Sequence, residues 1–289
     1  MSFIFCHKEH SGFEIRCGSW DRFRFGGSCC YYYAAIAVIR RKIFLGHGDA
    51  ETVNGMQDLK LSSYDLMEMH IRALYVHDEQ ARLIFINDGE NVPAPRFFLG
   101  RTSQGNIWRF RHDLPQTVCD ELSALCKAEE FSMSAAPLHQ AEYLQILAAH
   151  APINKIWHGS AFWFAHSVQG GDGTVFIDAQ NAHLLQGGLE EWIPDMRYQQ
   201  PAVALFADGQ AVAICASVRI TEAAHEAGVE TVRAHRQKGY AVKVVRAWAR
   251  AVAKLGALPL YSLSDENLAS MRVANRLGLS QFGADFHIT

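Results

Sequence analysis

Hydrophobic positions recur with regular spacing from about residue 61 onward, and this spacing predicts the secondary structure. Apolar residues three and four apart indicate helices, while short apolar runs that end at glycine or proline indicate strands. We therefore predict helices over residues 62–75, 115–129 and 137–150, and strands over residues 82–87, 96–102, 106–111 and 159–166. The Gly-Gly-Asp-Gly stretch at 170–173 has no helix predicted directly after it, so we interpret it as a hairpin turn.

The last third of the chain carries a clearer pattern. Asp208-Gly209 separates two apolar runs, which is a strong signal for a β-hairpin. Its strands are predicted over residues 202–206 and 211–218. Behind the hairpin we predict a strand, a helix, a strand, a helix and a final strand, over residues 226–232, 240–255, 258–263, 266–277 and 282–288.

The chain divides into three predicted parts. Residues 1–55 lack a clear period and contain four of the seven cysteines. They are either an extension upstream of a start at Met56 or a genuine N-terminal element. Residues 56–131 predict a small α+β module, and the small, proline-bearing loop at 132–137 places a boundary before a second domain over residues 132–289.

Composition excludes several classes of function. With 289 residues, 49% hydrophobic and 20% charged, the chain has the makeup of a soluble globular protein. A net charge of -3 gives no reason to expect nucleic acid, and it slightly favours a cationic substrate. The 14 histidines form no metal-binding motif, so we expect no metal. No apolar run is long enough to cross a membrane. The odd cysteine count indicates a reduced, cytoplasmic protein, and a homodimer is compatible with the sequence.

A turn of the form Arg-x-x-Gly-x-Ala joins a predicted strand to a predicted helix, at Arg236, Gly239 and Ala241. Small residues let the backbone curl close to a ligand, and the following helix directs its free N–H groups at that ligand. An anion such as a pyrophosphate fits this site. The turn is neither a Walker loop nor a G-x-G-x-x-G motif.

With the strands and helices around it, this turn resembles the signature of the GNAT superfamily of acetyl-CoA-dependent N-acetyltransferases. The resemblance covers about the last third of the chain well and the middle loosely. It implies an α/β GNAT acyltransferase fold, with a mixed, splayed central sheet flanked by helices, to which the N-terminal α+β module is added. Two departures are Ala241 where the motif often has glycine, and Ala274 where the family often places a tyrosine that acts as general acid.

The resemblance also implies where acetyl-CoA binds. The donor would lie in the splay between the strands at 226–232 and 258–263. The pyrophosphate would meet backbone N–H groups of the turn, the pantetheine arm would pair with the first strand, and an asparagine in the last helix would contact that arm. The implied cofactor-binding residues are Val229, Glu230, Thr231, Arg236, Gln237, Lys238, Gly239, Tyr240, Ala241, Asn267 and Ser270.

Direct transfer to an amine needs a group that accepts the proton of the ammonium acceptor. Glu226 and Glu230 lie on one face of their strand, because side chains repeat every two residues. Glu226 lies near the position where many relatives keep a general base, while Glu230 lies deeper along the strand and nearer the expected thioester. Because Ala274 provides no acid, we expect water or a nearby hydroxyl to serve, with no single residue essential. The hydroxyls in question are Tyr261, Ser262, Ser264 and Ser270.

The acceptor is the least determined part of the hypothesis. Glu190, Glu191 and Trp192 lie in the segment that in the family shapes the acceptor pocket, although a surface helix with one buried tryptophan explains them equally well. We expect a small cationic amine of the aminoglycoside-antibiotic type, acetylated as resistance. The alternatives are a protein or peptide amine or an amino-acid metabolite, and a non-catalytic acyl-CoA-binding sensor.

Overall fold

The computed structural model describes residues 61–133, 136–166 and 168–289. The predictions for residues 1–55, and the start at Met56, lie outside the described residues. The α-helices of the described chain are α1 (Ser63–Leu74), α2 (Gln116–Ala128), α3 (Gln140–His150), α4 (Tyr240–Lys254) and α5 (Leu268–Leu277). The strands are β1 (Tyr75–His77), β2 (Leu83–Ile86), β3 (Phe97–Thr102), β4 (Gly105–Phe110), β5 (Ile156–Trp163), β6 (Thr174–Ile177), β7 (Ala202–Ala207), β8 (Gln210–Ile220), β9 (Ala224–Thr231), β10 (Leu258–Ser264) and β11 (Ser280–Ile288).

Nine of these strands form one sheet in the order β4-β3-β11-β5-β10-β9-β8-β7-β6, and β1 pairs with β2 separately. Every neighbouring pair in the large sheet is antiparallel except β9 and β10, which run parallel. The mixed α/β architecture with flanking helices is confirmed. Strands on both sides of the predicted boundary at 132–137 belong to this sheet, because β3 pairs with β11.

The sheet splits between β9 and β10. The two strands pair only at Ala224–Leu258, His225–Pro259 and Glu226–Leu260. Beyond Glu226, β9 continues to pair with β8, while β10 continues to pair with β5. The strands therefore diverge and leave a fork whose apex lies at Glu226 and Leu260. This fork is the splay that the sequence predicted.

Both faces of the sheet are covered. On one face, α1 packs over β3, β9 and β11, and a segment of two short 3₁₀ helices at 182–195 packs over β7 and β8. On the other face, α4 and α5 cover β7 to β10, and α2 and α3 cover β3, β4 and β11. The fork thus lies between α1 and the 3₁₀ segment on one face of the sheet and between α4 and α5 on the other.

The sequence specifies α1 locally. Ser62 and Asp65 form a reciprocal capping box at its N-terminus. The helix lies close to the sheet, so that a Cβ atom added at Gly100 or Gly283 would meet the Met67 side chain, and at Gly283 also the carbonyl oxygen of Arg101. His70 lies on the same buried side of the helix and is completely buried.

Several sequence-based expectations are wrong in detail. The loop at 170–173 is not a hairpin turn, because β5 and β6 do not pair; it packs on α4, where Arg250 donates to the carbonyl of Gly170. Asn267 lies not in the first turn of α5 but at its N-cap, where its side chain accepts from Ser270 N. Strands β1 and β6 were not predicted, because three or four residues carry too little periodic signal.

Candidate active site

A cleft of about 780 Å³ opens where β9 and β10 separate, between the N-terminus of α4 and helix α5. This volume is typical of a site for a small molecule or cofactor. Ten of the eleven predicted cofactor-binding residues line it, and the eleventh, Lys238, is exposed beside it. The fold therefore brings together the strand, the turn and the last helix that the sequence analysis connected.

The turn before α4 is shaped to receive an anion. Gln237 and Gly239 both have left-handed backbone conformations, with φ of 65° and 80°. A Cβ atom at Gly239 would meet nothing within 4 Å, so the space beside it is open. No side chain caps α4, and the first N–H groups of a helix have no partner within the helix. These donors and the helix dipole are therefore available to a phosphate.

The charges around the cleft favour a polyanion. Arg236, Arg272 and Arg276 line it, and Arg236 also donates to the carbonyl of Thr231 over 3.1 Å. Neither Arg272 nor Arg276 forms an ion pair in the described part of the chain. Glu230 is the only carboxylate among the described residues that line the cleft. The walls of the cleft thus carry net positive charge, which would suit a ligand with more than one phosphate group.

The free edge of β9 faces into the fork. The amide of Val232, directly after β9, donates to the carbonyl of Val212 in β8 and so points toward β8. Because the amides of a strand alternate in direction, those of Thr231 and Val229 point away from β8. No β10 residue pairs with them. An extended chain with amide groups, such as a pantetheine arm, finds donors and acceptors along this edge.

The two candidate glutamates differ in access. Glu230 lines the cleft, and its carboxylate accepts from the indole Nε1 of Trp192 over 2.6 Å. Glu226 is only 2% exposed and does not line the cleft. Glu226 instead forms two side-chain hydrogen bonds at the apex of the fork, one with His70 and one with Ser262.

The contact between Glu226 and His70 was not predicted. Nδ1 of His70 lies 2.6 Å from Oε1 of Glu226, although 156 residues separate them in the sequence. Burial acts to lower the pKa of His70, but the charge and hydrogen bond of Glu226 outweigh it, so the pKa is raised above its usual value. The available sequence signal was a histidine among the buried positions of an amphipathic helix.

The three residues suggested for the acceptor side, Glu190, Glu191 and Trp192, differ in what they contact. Trp192 reaches the strand face, where its ring lies against Gly228, so that a side chain there would collide with the ring and with Val218. The Glu190 carboxylate accepts from the amides of Gly187 and Gly188 and so closes its own turn. Glu191 is exposed. Of the three, Trp192 is the one joined to a cleft residue, through its bond to Glu230.

Asp285 of β11 is a further carboxylate buried near His70. Burial is the largest cause that raises its pKa, to about 6, while His70 lowers it and Glu226 raises it. The indole of Trp157 also lowers this pKa, although it forms no hydrogen bond of good geometry with Oδ1 of Asp285. The ionised form of Asp285 is therefore poorly accommodated at neutral pH.

Asp285→Asn should stabilise the protein at neutral pH. The folded-state pKa of about 6 lies above the ordinary value of 3.8, so stability falls as the pH rises from about 4 to about 6. The difference corresponds to about 3 kcal/mol, at about 1.4 kcal/mol per pKa unit. Denaturant unfolding of both proteins at pH 4 and pH 7.5 checks this. A variant that gains equally at both pH values would contradict it.

The described ranges contain neither a metal-binding cluster nor a helix suited to a bilayer. No three histidine, cysteine, aspartate or glutamate side chains there form a group that could hold a metal ion. None of the described helices combines the length and apolarity needed to cross a bilayer.

Comparison with known proteins finds a family match in the C-terminal segment. A family model described as GNAT acetyltransferase matches residues 200–284, and proteins of this family generally use acetyl-CoA. No protein with a curated functional description matches the chain.

Solved structures resemble the chain at low identity. A GNAT-family protein from Novosphingobium aromaticivorans DSM 12444 is 16% identical over 47% of this chain and 65% of its own, less than two thirds of its length, with a TM-score of 0.42. A GCN5-related N-acetyltransferase-like protein from Streptococcus suis 89/1591 is 16% identical over 84% of this chain and 100% of its own, with a TM-score of 0.45. A GNAT-family acetyltransferase from Colwellia psychrerythraea is 13% identical over 92% of this chain and 98% of its own, with a TM-score of 0.39.

Proposed function

We propose that this chain, whose residues 200–284 belong to the GNAT acetyltransferase family, transfers the acetyl group of acetyl-CoA to an amine of a small cationic acceptor. The observation that carries the proposal is the meeting of three features in one cleft. These are the fork between β9 and β10, the uncapped N-terminus of α4 behind a left-handed turn, and arginine side chains along the walls.

The residues present fit the donor. Backbone N–H groups of Gln237 to Ala241 would bind the pyrophosphate, and Arg236 would offset its charge. The amides of Val229 and Thr231 would pair with the pantetheine arm along the free edge of β9. When bound, acetyl-CoA supplies an activated acetyl group as a thioester. The chain then has to place an amine at that group and remove a proton from it.

The face of β9 that carries Glu226, Gly228 and Glu230 supports a cationic acceptor. It lies between α1 and the 3₁₀ segment that holds Trp192, and it carries two carboxylates, of which Glu230 lines the cleft and Glu226 is buried. A glutamate on this face would accept the amine proton, because an ammonium nitrogen has no free electron pair. Glu230 beside the Trp192 ring would offer a carboxylate and an aromatic face to an ammonium group, and this suits a cationic amine such as an aminoglycoside.

An acceptor screen tests the proposal. Purified protein with acetyl-CoA is given aminoglycosides, peptides with free N-termini or lysines, and single amino acids, and release of free thiol is measured. We expect release with aminoglycosides and little with the others. Release with peptides or amino acids alone would reject the aminoglycoside assignment and keep the transferase. Binding of acetyl-CoA by calorimetry, without release for any amine, would reject transfer and favour a sensor.

A further inference from the structure

A chain of three hydrogen-bonded side chains begins at the apex of the fork. Ser262 Oγ of β10 donates to Glu226 Oε2 over 3.0 Å, and Glu226 Oε1 lies 2.6 Å from His70 Nδ1 of α1. Glu226 is the last residue of β9 that pairs with β10, opposite Leu260. Ser262 lies two residues beyond Leu260, where β10 has already separated from β9. The side-chain bond therefore joins the strands where their backbone pairing has ended.

Burial increases along this chain of side chains. Ser262 is partly exposed, Glu226 is 2% exposed, and His70 is completely buried. Of the three side chains, Ser262 is therefore the one that keeps partial exposure to solvent, although it does not line the cleft of α4 and α5. Since a strand's side chains alternate between its two faces, Ser262 lies on the α1 side and Tyr261 on the cleft side with α4 and α5.

We propose that Ser262 is the catalytic residue that takes the acceptor's proton and relays its own proton to Glu226, while His70 is a positioning residue that holds the Glu226 carboxylate. This inference rests on the proposed function and assigns the base within it. The base then acts without touching the acceptor, and the relay group is a protein hydroxyl. The geometry explains how a carboxylate as buried as Glu226 can serve the fork.

The protons and bonds balance as follows. The acceptor ammonium gives a proton to Ser262 Oγ as Ser262 gives its hydroxyl proton to Glu226 Oε2, which leaves a neutral amine and a protonated carboxyl. The nitrogen forms a C–N bond with the acetyl carbonyl carbon, and the C–S bond breaks with its electron pair remaining on sulfur. The nitrogen's second proton goes to the thiolate, and the Glu226 carboxyl returns its proton to water through Ser262.

The other candidate groups are placed differently. Glu230 lines the cleft, and its carboxylate accepts from the Trp192 indole and not from a hydroxyl of the described residues. Ser264 is bonded to the amide of Glu266 and not to a carboxylate. The sequence alone led us to expect no essential hydroxyl. The bond to a buried carboxylate distinguishes Ser262, because a hydroxyl accepts a proton only when it can pass its own to a base.

The charged surroundings of Glu226 suit this role. His70 approaches from α1, and Asp285 of β11 acts on His70 by its charge. The contact of His70 Nδ1 holds the Glu226 carboxylate in place, and the charge and hydrogen bond of Glu226 raise the pKa of His70. In the free protein, nuclear magnetic resonance of His70 should therefore give a pKa above about 6.5. That pKa should fall in Glu226→Gln and stay raised in Ser262→Ala.

Replacement of Ser262 tests the relay. Ser262→Ala should lower kcat at pH 7 by about 10²-fold, the lower end of the effect of losing a general base. The KM for acetyl-CoA should not change, and the rate should recover as the pH rises, because the amine then loses its proton unaided. Ser262→Thr keeps the hydroxyl and should keep most of the rate. Ser262→Val has the shape of the threonine variant but no hydroxyl, and it should lose the rate.

Ser160→Ala is the matched control. Ser160 lies in the neighbouring strand β5 and donates to Asp265 over 2.9 Å, so this variant also loses a hydroxyl–carboxylate bond. Its kcat and pH profile should match those of the unaltered protein. Wild-type kcat in a folded Ser262→Val, or equal losses in Ser262→Ala and Ser160→Ala, would overturn the relay alone. An unaltered protein that binds acetyl-CoA but acetylates no amine would reject the proposed function, and the relay with it.

Discussion

Glu226→Gln should lower the rate of acetyl transfer at pH 7 by ~10²–10⁴-fold and leave acetyl-CoA binding nearly unchanged. Glutamine keeps the shape of the side chain and its ability to bond to Ser262, but it does not accept a proton at this pH. The lost rate should return progressively with rising pH, as the acceptor amine becomes neutral by itself. Initial rates across pH 6–9, with calorimetry of acetyl-CoA binding, measure both effects.

Glu230→Gln is the natural comparison. Both glutamates lie on one face of β9, where the Glu230 carboxylate has one side-chain partner, Trp192, and the Glu226 carboxylate has two, His70 and Ser262. Because Glu230 lines the donor cleft, its replacement should alter the KM for acetyl-CoA more than the pH dependence of kcat. The reverse result, with a pH-dependent loss in Glu230→Gln and normal rates in Glu226→Gln, would make Glu230 the base and leave Ser262 without a role.

Gly239→Val should abolish measurable acetyl-CoA binding. The Cβ position at Gly239 is open space in the protein, so a valine side chain would project into the volume that the phosphates would occupy. The φ of 80° also strains any residue other than glycine. The strain alone would destabilise the fold by about 1–2 kcal/mol. A loss of binding that results from this destabilisation therefore has to be distinguished from a loss that results from the valine side chain in the phosphate volume.

Gly209→Val makes this separation. Gly209 has a φ of 79°, and a Cβ atom there also meets nothing within 4 Å, but it lies in the β7–β8 hairpin away from the cleft. The two variants carry the same backbone strain and should unfold at similar denaturant concentrations. Only Gly239→Val should lose binding in calorimetry. Equal affinities in both variants would show that the turn before α4 does not receive the pyrophosphate.

The sequence determined the local elements and most of the residues that line the cleft. Helix α4, the Asp208-Gly209 hairpin and the strands beside them follow from short-range periodicity and turn chemistry. The turn from Arg236 to Ala241 was recognisable for the same reason, because its function depends on backbone shape, which residues close in sequence specify. For this reason the predicted donor residues lie together along one cleft.

The tertiary structure alone decided what surrounds Glu226. His70 reaches it across 156 positions, and Ser262 reaches it across 36, only because α1 packs over β9 and because β10 lies beside β9 up to the fork. A sequence shows whether a carboxylate is on one face of a strand, but not which helix covers that face. Burial, and the partners that compensate it, depend on contacts between distant segments, and these contacts separate the roles of Glu226 and Glu230.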